Sequence, residues 1–423
     1  MAEKTRIAIP YARGHQTTDF PTENLVGAAV PSGQILSVDD EIAEIKRALS
    51  HPINSPSLGK LAKPGNKVAI VVSDFTRPTP SGLILGPVIE ELQGAGVHSE
   101  GITIVIACGL HVPTSPSQIE AILGTENIKK YKVVNHRADD ESSLTYVGRT
   151  SSGIPVKVNK IVAEADLTVS IGAIDPHHWA GFSGGAKNLL PGVSSRETVN
   201  AHHLLLLDPD TAVGKLDGNK FRAQLEEAAR IANFNFIINV VLSADKKIAF
   251  AVAGDVVAAH RKGAAYIAEK LRVKLDGQVD MVIASPGGFP RDSDLWQTDG
   301  KCLSRIAPVV KDGGTVIVVS QCGQGFGDEE FARLLTTRSG AELGEALRKG
   351  PFSTALAKAY NLAKLADRTT FYLVTEGIPA GALARIPVNI VASLEEAVRE
   401  ALIRTPQAKT LIVPDAAGVL LVK

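Results

Sequence analysis

Cysteine, methionine and aromatic residues are scarce in this chain of 423 residues, and its formal net charge is zero. The three cysteines, Cys108, Cys302 and Cys322, show no CxxC spacing. That argues against both a disulfide framework and a thiolate zinc site. Lysine plus arginine number 45, as do aspartate plus glutamate, so the excess positive charge that a nucleic-acid surface or polybasic membrane patch needs is missing. No apolar run is long enough to span a bilayer, and the opening MAEKTRIAIPYARGH carries no signal-peptide stretch. What is present is a globular composition, 44% hydrophobic and 21% charged, in a chain too long for one ordinary core. The expectation is a cytoplasmic protein of two domains, with no internal repeat and no low-complexity tract.

Short β-branched runs alternate with longer amphipathic segments. KVAIVV (67–72), ITIVIA (102–107), LTVSI (167–171), MVIA (281–284), TVIVVS (315–320) and TLIV (410–413) read as strands. Their unbroken hydrophobicity suits strands covered on both faces, as in parallel sheets. Between them, residues 81–92, 222–231, 256–271 and 394–402 have helical character. This alternation predicts an α/β protein with largely parallel sheets and an active-site cleft between two α/β domains. A boundary near residues 274–277 gives an N-terminal domain over 1–275 and a smaller C-terminal one over 276–405. The terminal strand within 406–423 is free to return to the N-terminal domain.

In open α/β sheets, ligands bind beyond the carboxyl ends of the strands. Three predicted strands end in unusual polar sequence. The first leads to Ser73-Asp74-Phe75-Thr76-Arg77-Pro78 and the second to Cys108-Gly109-Leu110-His111. The third leads to Asp175-Pro176-His177-His178-Trp179 and then Gly181-Phe182-Ser183-Gly184-Gly185-Ala186-Lys187. Parallel neighbours would bring Asp74, Arg77, His111, His177 and Lys187 to one edge. Each also has a plainer role. Asp74 before Thr-x-Pro can cap a helix, Arg77 can pair with it at the surface, and His111 can be a satisfied loop histidine.

The histidine pairs are harder to set aside, because four of the ten histidines lie in the doublets 177–178 and 202–203. GFSGGAKN is not a Walker A loop, since Ala186 precedes Lys187 and Asn188 follows it. Its glycines still allow close backbone approach to an anion. A lysine beside such a loop, near several histidines, suggests covalent attachment of a cofactor, and His202 or His203 offers an imidazole to a metal. HExxH is absent, which disfavours a hydrolytic zinc centre. GQGFG (323–327) reads as a turn.

SDFTRP, GLH, PHHWAGFSGGAK and the PG…TVNAHH segment together resemble the nickel-pincer lactate racemase family. The central spacing, His then ten residues to Lys and sixteen more to His, falls on His177, Lys187 and His203. The resemblance implies nickel and a pyridinium-3,5-bisthiocarboxylic acid mononucleotide attached to Lys187 as a thioamide, with His203 as nickel ligand. A flat S, C, S, N donor set suits nickel's tetragonal preference. His202 stands where the family usually has asparagine, so the doublet leaves two candidate imidazoles, of which spacing favours His203. Ser183, Gly184 and Gly185, with Ser73 or Thr76, would hold the cofactor phosphate.

The implied reaction is racemisation or epimerisation of a 2-hydroxy acid by proton-coupled hydride transfer through a planar 2-oxo acid. It needs a base on each side, matched here by His111 and His177, and histidine's pKa suits both tasks. Arg77 matches the carboxylate-binding arginine and Asp74 the acidic residue that orients neighbours or ligand. In the second domain a Gly-Gly-x-Pro segment leads to Gln297, but the lysine expected three residues later stands four on, at Lys301, with Gly300 in its place. Phe352 takes the position of the family's tryptophan, and Val112 that of an arginine often found after the first catalytic histidine. These departures weaken lactate itself as the inferred substrate. Trp179, Phe289 and Trp296 offer apolar walls for a larger one. The implied partners are the substrate and the cofactor-synthesis enzymes, with no nucleic acid and no membrane. Two other readings stay open: a pyridoxal-phosphate enzyme using Lys187 as its Schiff base, and a noncatalytic two-domain carboxylate-binding protein.

Overall fold

The structure is a computed structural model describing residues 3–422. The chain divides into two compact units, Gln34–Glu269 and the segments on either side of it. Among the described residues, each unit is built on a six-stranded sheet.

In the Gln34–Glu269 unit the strands lie in the order Ile248–Asp255, Phe236–Leu242, Leu167–Ala173, Val68–Ser73, Ile102–Ala107, Lys132–Asn135. All neighbours are parallel except the first two, which form an antiparallel pair. The apolar runs explain this placement. Every residue of Val68–Ser73 is buried, as is nearly all of Ile102–Ala107 and Leu167–Ala173. Helices cover the faces, with Ile84, Leu85, Val88 and Leu92 of Ser81–Gly94 packed against Ile70, Val72 and Ile104. Burying each such aliphatic side chain contributes about 1.5–3 kcal/mol.

The second sheet is parallel throughout, in the order Val388–Val391, Thr370–Val374, Val310–Val319, Val279–Ala284, Thr410–Val413, Leu25–Ala28. This differs from the expected division in two places. The first 33 residues belong with the C-terminal segment, and the division falls at Lys270 rather than near 274–277. The terminal strand Thr410–Val413 lies between Val279–Ala284 and Leu25–Ala28, so it does not return to the N-terminal sheet. The cause is burial: Ile7, Ile9 and Phe20 of the hairpin Lys4–Tyr11/Gly14–Pro21 share a core with Met281, Ile283, Ile317 and Ile412. Pairing across nearly 400 positions leaves no local trace in sequence. Among the described residues, no helix is long and apolar enough to cross a membrane.

His136, which follows the edge strand Lys132–Asn135, links packing to pH. Its ring is buried, with Nε2 2.9 Å from the Ser194 carbonyl and Nδ1 3.4 Å from Asn159. Burial pushes its pKa down from 6.5 to about 4. The unfolded chain therefore takes up this proton first, and stability is lost as pH falls from about 6.5 toward 4, by roughly 3 kcal/mol at 1.36 kcal/mol per unit. Urea midpoints measured across that window should fall less steeply in His136→Gln than in the parent chain. Parallel curves would remove His136 from the acid response.

Candidate active site

Chain order reverses in the first sheet between Leu167–Ala173 and Val68–Ser73, the kind of switch point beyond which α/β sheets bind ligands. Val68–Ser73 is flanked by Leu167–Ala173 and Ile102–Ala107, both parallel to it. The three polar loops thus leave from adjacent strand ends, and Asp74, Arg77, His111, His177 and Lys187 come together as the sequence suggested.

His111 and Asp74 form a dyad, with Nδ1 2.6 Å from the carboxylate. Asp74 is buried while the His111 side chain is about half exposed. Burial alone would raise the Asp74 pKa, but hydrogen bonds from His111 and Thr76 and the charges of His111 and Arg77 hold it below the ordinary carboxylate value. A proton held on Nδ1 by Asp74 leaves the lone pair on the exposed side, at Nε2. Thr76 hydroxyl donates to Asp74 at 2.6 Å and accepts from Arg77 Nη1 at 3.1 Å. The exposed guanidinium is thereby steered without being neutralised by a direct carboxylate contact. A cleft of about 680 Å³ runs from Arg77 along Pro78–Pro80 to Leu123 and Asn127, but none of the histidines lines it.

His177 is held differently. Its Nδ1 accepts the backbone N–H groups of Trp179 and Ala180, both at 3.2 Å. The neutral ring therefore carries its proton on Nε2, which lies 3.2 Å from Lys187 Nζ. An Nε2–H needs an acceptor, and a lysine nitrogen accepts only as the neutral amine. The electrostatics agree. Burial, then the charges of Arg77 and Arg222, push the Lys187 pKa well down. Burial, then Lys187 and His178, do the same to His177. His178 stacks on His177 at 4.4 Å between centroids, and the buried Trp179 indole meets His178 and His203 edge-on at 4.3 and 5.9 Å.

The helix Arg196–His203 supplies the second doublet, and its two rings are distinguishable. His202 Nε2 is bonded to the Phe221 carbonyl at 2.9 Å, and its Nδ1 faces His203 Nδ1 at 3.4 Å. His203 gives its Nδ1 proton to the Val199 carbonyl at 2.9 Å, which places its lone pair on Nε2. Burial, the neighbouring His202 and Lys187 keep His203 neutral. Among the described residues, no three His, Cys, Asp or Glu side chains gather as a metal site.

The glycine loop is less open to an anion than its sequence suggests. The Ser183 hydroxyl donates to the Ala173 carbonyl and accepts from Asp175 N–H, while Gly185 N–H is taken by Asn239 Oδ1 at 2.6 Å. Gly185 has φ +59°, and a Cβ there would lie 2.8 Å from the His260 ring. Gly184 has φ +76°, with the Cβ position 2.7 Å from Asn239 Oδ1. The loop is glycine-rich because the backbone must turn tightly against these side chains. Ser73 is likewise turned inward, toward Asn188 at 3.4 Å. The hydroxyl and amide of Ser183, the Gly185 amide and Ser73 are thus occupied within the protein. Asn239, His260 and Arg222 were not singled out from sequence. Only Asn239 had a signal, as a polar residue inside the strand FIINVVL.

Gln297, Lys301 and Phe352 lie in the other unit. Gln297 is exposed on the short helix Leu295–Thr298, and Lys301 sits in the π-helical turn Asp299–Leu303. A π turn accommodates one residue more than a regular turn, a local reason for the four-residue spacing. Trp296 packs on Phe331 and under the Lys358 ammonium, so it serves that unit's core. Phe289 is exposed beneath Arg13, and Phe352 is buried.

Residues 11–214 match the family model for the lactate racemase N-terminal domain, and residues 275–421 the lactate racemase C-terminal domain. The lactate racemase of Lactiplantibacillus plantarum is 31% identical over 98% of this chain and 99% of its own. That of Thermoanaerobacterium thermosaccharolyticum is 34% identical over 77% of each. The structure of the lactate racemase apoprotein from Thermoanaerobacterium thermosaccharolyticum superposes with a TM-score of 0.86 at 30% identity, covering 99% of this chain and 100% of the other.

The loop geometry carries its own test. Asn239→Leu leaves the buried Gly185 N–H without its acceptor, at a cost of about 1–3 kcal/mol. Hydrogen exchange at the Gly185 amide should accelerate and the urea midpoint should fall. Unchanged protection would show that Asn239 does not anchor the loop.

Proposed function

This chain belongs to the lactate racemase family and is an isomerase of the racemase type, and from that premise we propose that it racemises or epimerises a 2-hydroxy acid, with lactate the first candidate. The observation that carries the reading is Lys187 Nζ held 3.2 Å from His177 Nε2, where burial and the charges of Arg77 and Arg222 push the amine toward its neutral form. A neutral amine is the form that can be acylated, and Lys187 is the residue we assign to covalent attachment of a nickel-pincer nucleotide. His203 is the assigned nickel ligand, because Nε2 carries its lone pair while His202 Nε2 is tied to Phe221. The lack of a three-residue metal cluster among the described residues fits a cofactor that brings its own sulfur and carbon donors. When bound, that group supplies a reversible acceptor for the hydrogen on Cα.

The chain's own residues do the rest. Arg77 grips the substrate carboxylate with its planar fork, which fixes the hydroxyl-bearing carbon. His111 takes the hydroxyl proton at Nε2, while Asp74 keeps the ring oriented through Nδ1. When the planar 2-oxo acid is reduced with inversion, its oxygen takes a proton from the base on the other side. His177 serves the opposite face. In the unmodified chain its Nε2 proton is engaged with Lys187, and an acylated lysine nitrogen has no basic lone pair to receive it. For His177 to accept a substrate proton at Nε2, its own proton must first move to Nδ1, which requires the Trp179 and Ala180 N–H groups to turn away from that nitrogen. Gln297 and Lys301 are assigned to substrate or cofactor binding, and Thr76 to steering Arg77. With the glycine loop's polar groups spent internally, its part is to present Lys187.

Co-expression with the family's cofactor-synthesis enzymes, followed by intact mass, nickel content and peptide mapping, should find a mononucleotide adduct on Lys187 and one nickel. Nickel should be lost in His203→Ala and kept in His202→Ala. A bare Lys187, with a known family member loaded in parallel, would overturn the reading and leave a carboxylate-binding protein or another lysine chemistry. For the loaded enzyme, Arg77→Lys should raise KM at least tenfold with a smaller change in kcat, because the bidentate fork is lost. Unchanged constants would take Arg77 out of the site.

A further inference from the structure

The segment between His177 and Lys187 is clamped from the side opposite the imidazole. The amides of Trp179 and Ala180 give their N–H groups to His177 Nδ1. The carbonyls of the same two residues point to the first turn of the helix Lys220–Ile231. Asn219, its N-cap, donates from Nδ2 to the Trp179 carbonyl at 2.8 Å, and Arg222 donates from Nε to the Ala180 carbonyl at 3.0 Å. Arg222 Nη2 reaches on to the Phe182 carbonyl. Arg222 is only 1% exposed and, among the described residues, has no ion pair. Its Nη1 has no hydrogen-bond partner, and neither does Oε1 of the buried Glu226.

A buried guanidinium facing carbonyls is costly to maintain, and an apolar side chain would fill the same space without that cost. We propose that Arg222 is a positioning residue for Lys187, acting through the 180–183 peptides that continue the turn contacting His177 and through the positive charge it places behind the amine. This rests on the reading of Lys187 as the attachment lysine. The Trp179 carbonyl held by Asn219 shares its peptide plane with the Ala180 N–H that reaches His177 Nδ1, while Arg222 fixes the planes that follow, 180–181 and 182–183, and so holds the other side of Ala180. The contact at Nδ1 puts the His177 proton on Nε2, and Nε2–H in turn requires an uncharged Lys187.

The surrounding charges act in the same direction. Facing Lys187 are His177 and His178 from its own loop, Arg77 from the 74–80 loop, and His202 and His203 from the helix Arg196–His203. Arg222 acts from the helix Lys220–Ile231, and behind it stand Glu226 and Arg261. The Asp74 carboxylate is bonded to His111 and Thr76. Glu226 opposes the Arg222 charge, so removing it should have the reverse effect of removing Arg222.

The test uses the unmodified full chain, pulse-labelled with acetic anhydride across a pH series, with acetylation of Lys187 read by peptide mass. In the parent chain Lys187 should label with a midpoint well below that of surface lysines. Arg222→Met should move the midpoint up, slowing labelling at pH 7 by about tenfold for each unit. Arg222→Lys, which keeps the charge but cannot span two carbonyls, should recover part of that loss. Glu226→Gln, nearly isosteric and outside the clamp, should move the midpoint down, and it remains informative if Arg222→Met fails to fold. Folded variants that label like the parent, or a Glu226→Gln shift in the same direction as Arg222→Met, would overturn the proposal. Failure of the parent chain to acquire an adduct during co-expression overturns the attachment reading instead, and leaves the labelling result standing.

Discussion

The site depends on one constraint, a lysine amine buried beside an imidazole that can only donate to it. Two backbone N–H groups occupy Nδ1 of His177, so its proton is on Nε2 and Lys187 must be uncharged. Around this pair the chain gathers Arg77, Arg222 and three more histidines, and among the described residues no carboxylate pairs with the amine. Such a cluster is unfavourable in itself, since buried like charges and unpaired polar groups raise the energy of the folded state. It persists because the parallel sheet and its covering helices supply the stability that the cluster consumes.

The two catalytic candidates differ for the same reason. His111 is backed by a buried carboxylate, which holds Nδ1 and leaves Nε2 directed outward. His177 instead accepts two backbone N–H groups at Nδ1, and burial together with the cationic groups around it pushes its pKa well down. Two histidines of identical chemistry are thereby given unequal properties by what touches Nδ1. The His202–His203 doublet repeats the principle, because only the ring whose Nδ1 proton goes to a helix carbonyl has its Nε2 lone pair.

The scaffold makes this arrangement possible by delivering three loops from adjacent parallel strands. Val68–Ser73 sits between its partners with every residue buried, so the residues just past its end have nowhere to go but the sheet edge. There Asp74 remains buried, while Thr76 and Arg77 emerge. The Gly184–Gly185 turn is dictated from below by Asn239 and from the side by His260. Its glycines are there because backbone and side chains approach too closely for a Cβ.

Much of this was legible in the sequence. Continuous β-branched runs announced buried parallel strands, since only strands covered on both faces can be apolar at every position. The polar motifs at their ends brought forward Asp74, Arg77, His111, His177 and Lys187, and the spacing of His177, Lys187 and His203 carried the family resemblance. Tertiary structure alone decided what needs two distant segments to meet. The hairpin and strand in the first 33 residues join a sheet whose other members lie beyond residue 270, a pairing with no local signature. The tautomers of His177, His202 and His203 are set by carbonyls and amides, which every sequence contains and none advertises. Arg222 reads from sequence as an ordinary polar helix residue, and only the burial of its guanidinium against the Ala180 and Phe182 carbonyls gives it a role. Sequence determines which side chains are available at the strand ends; the backbone groups they meet after folding determine their protonation.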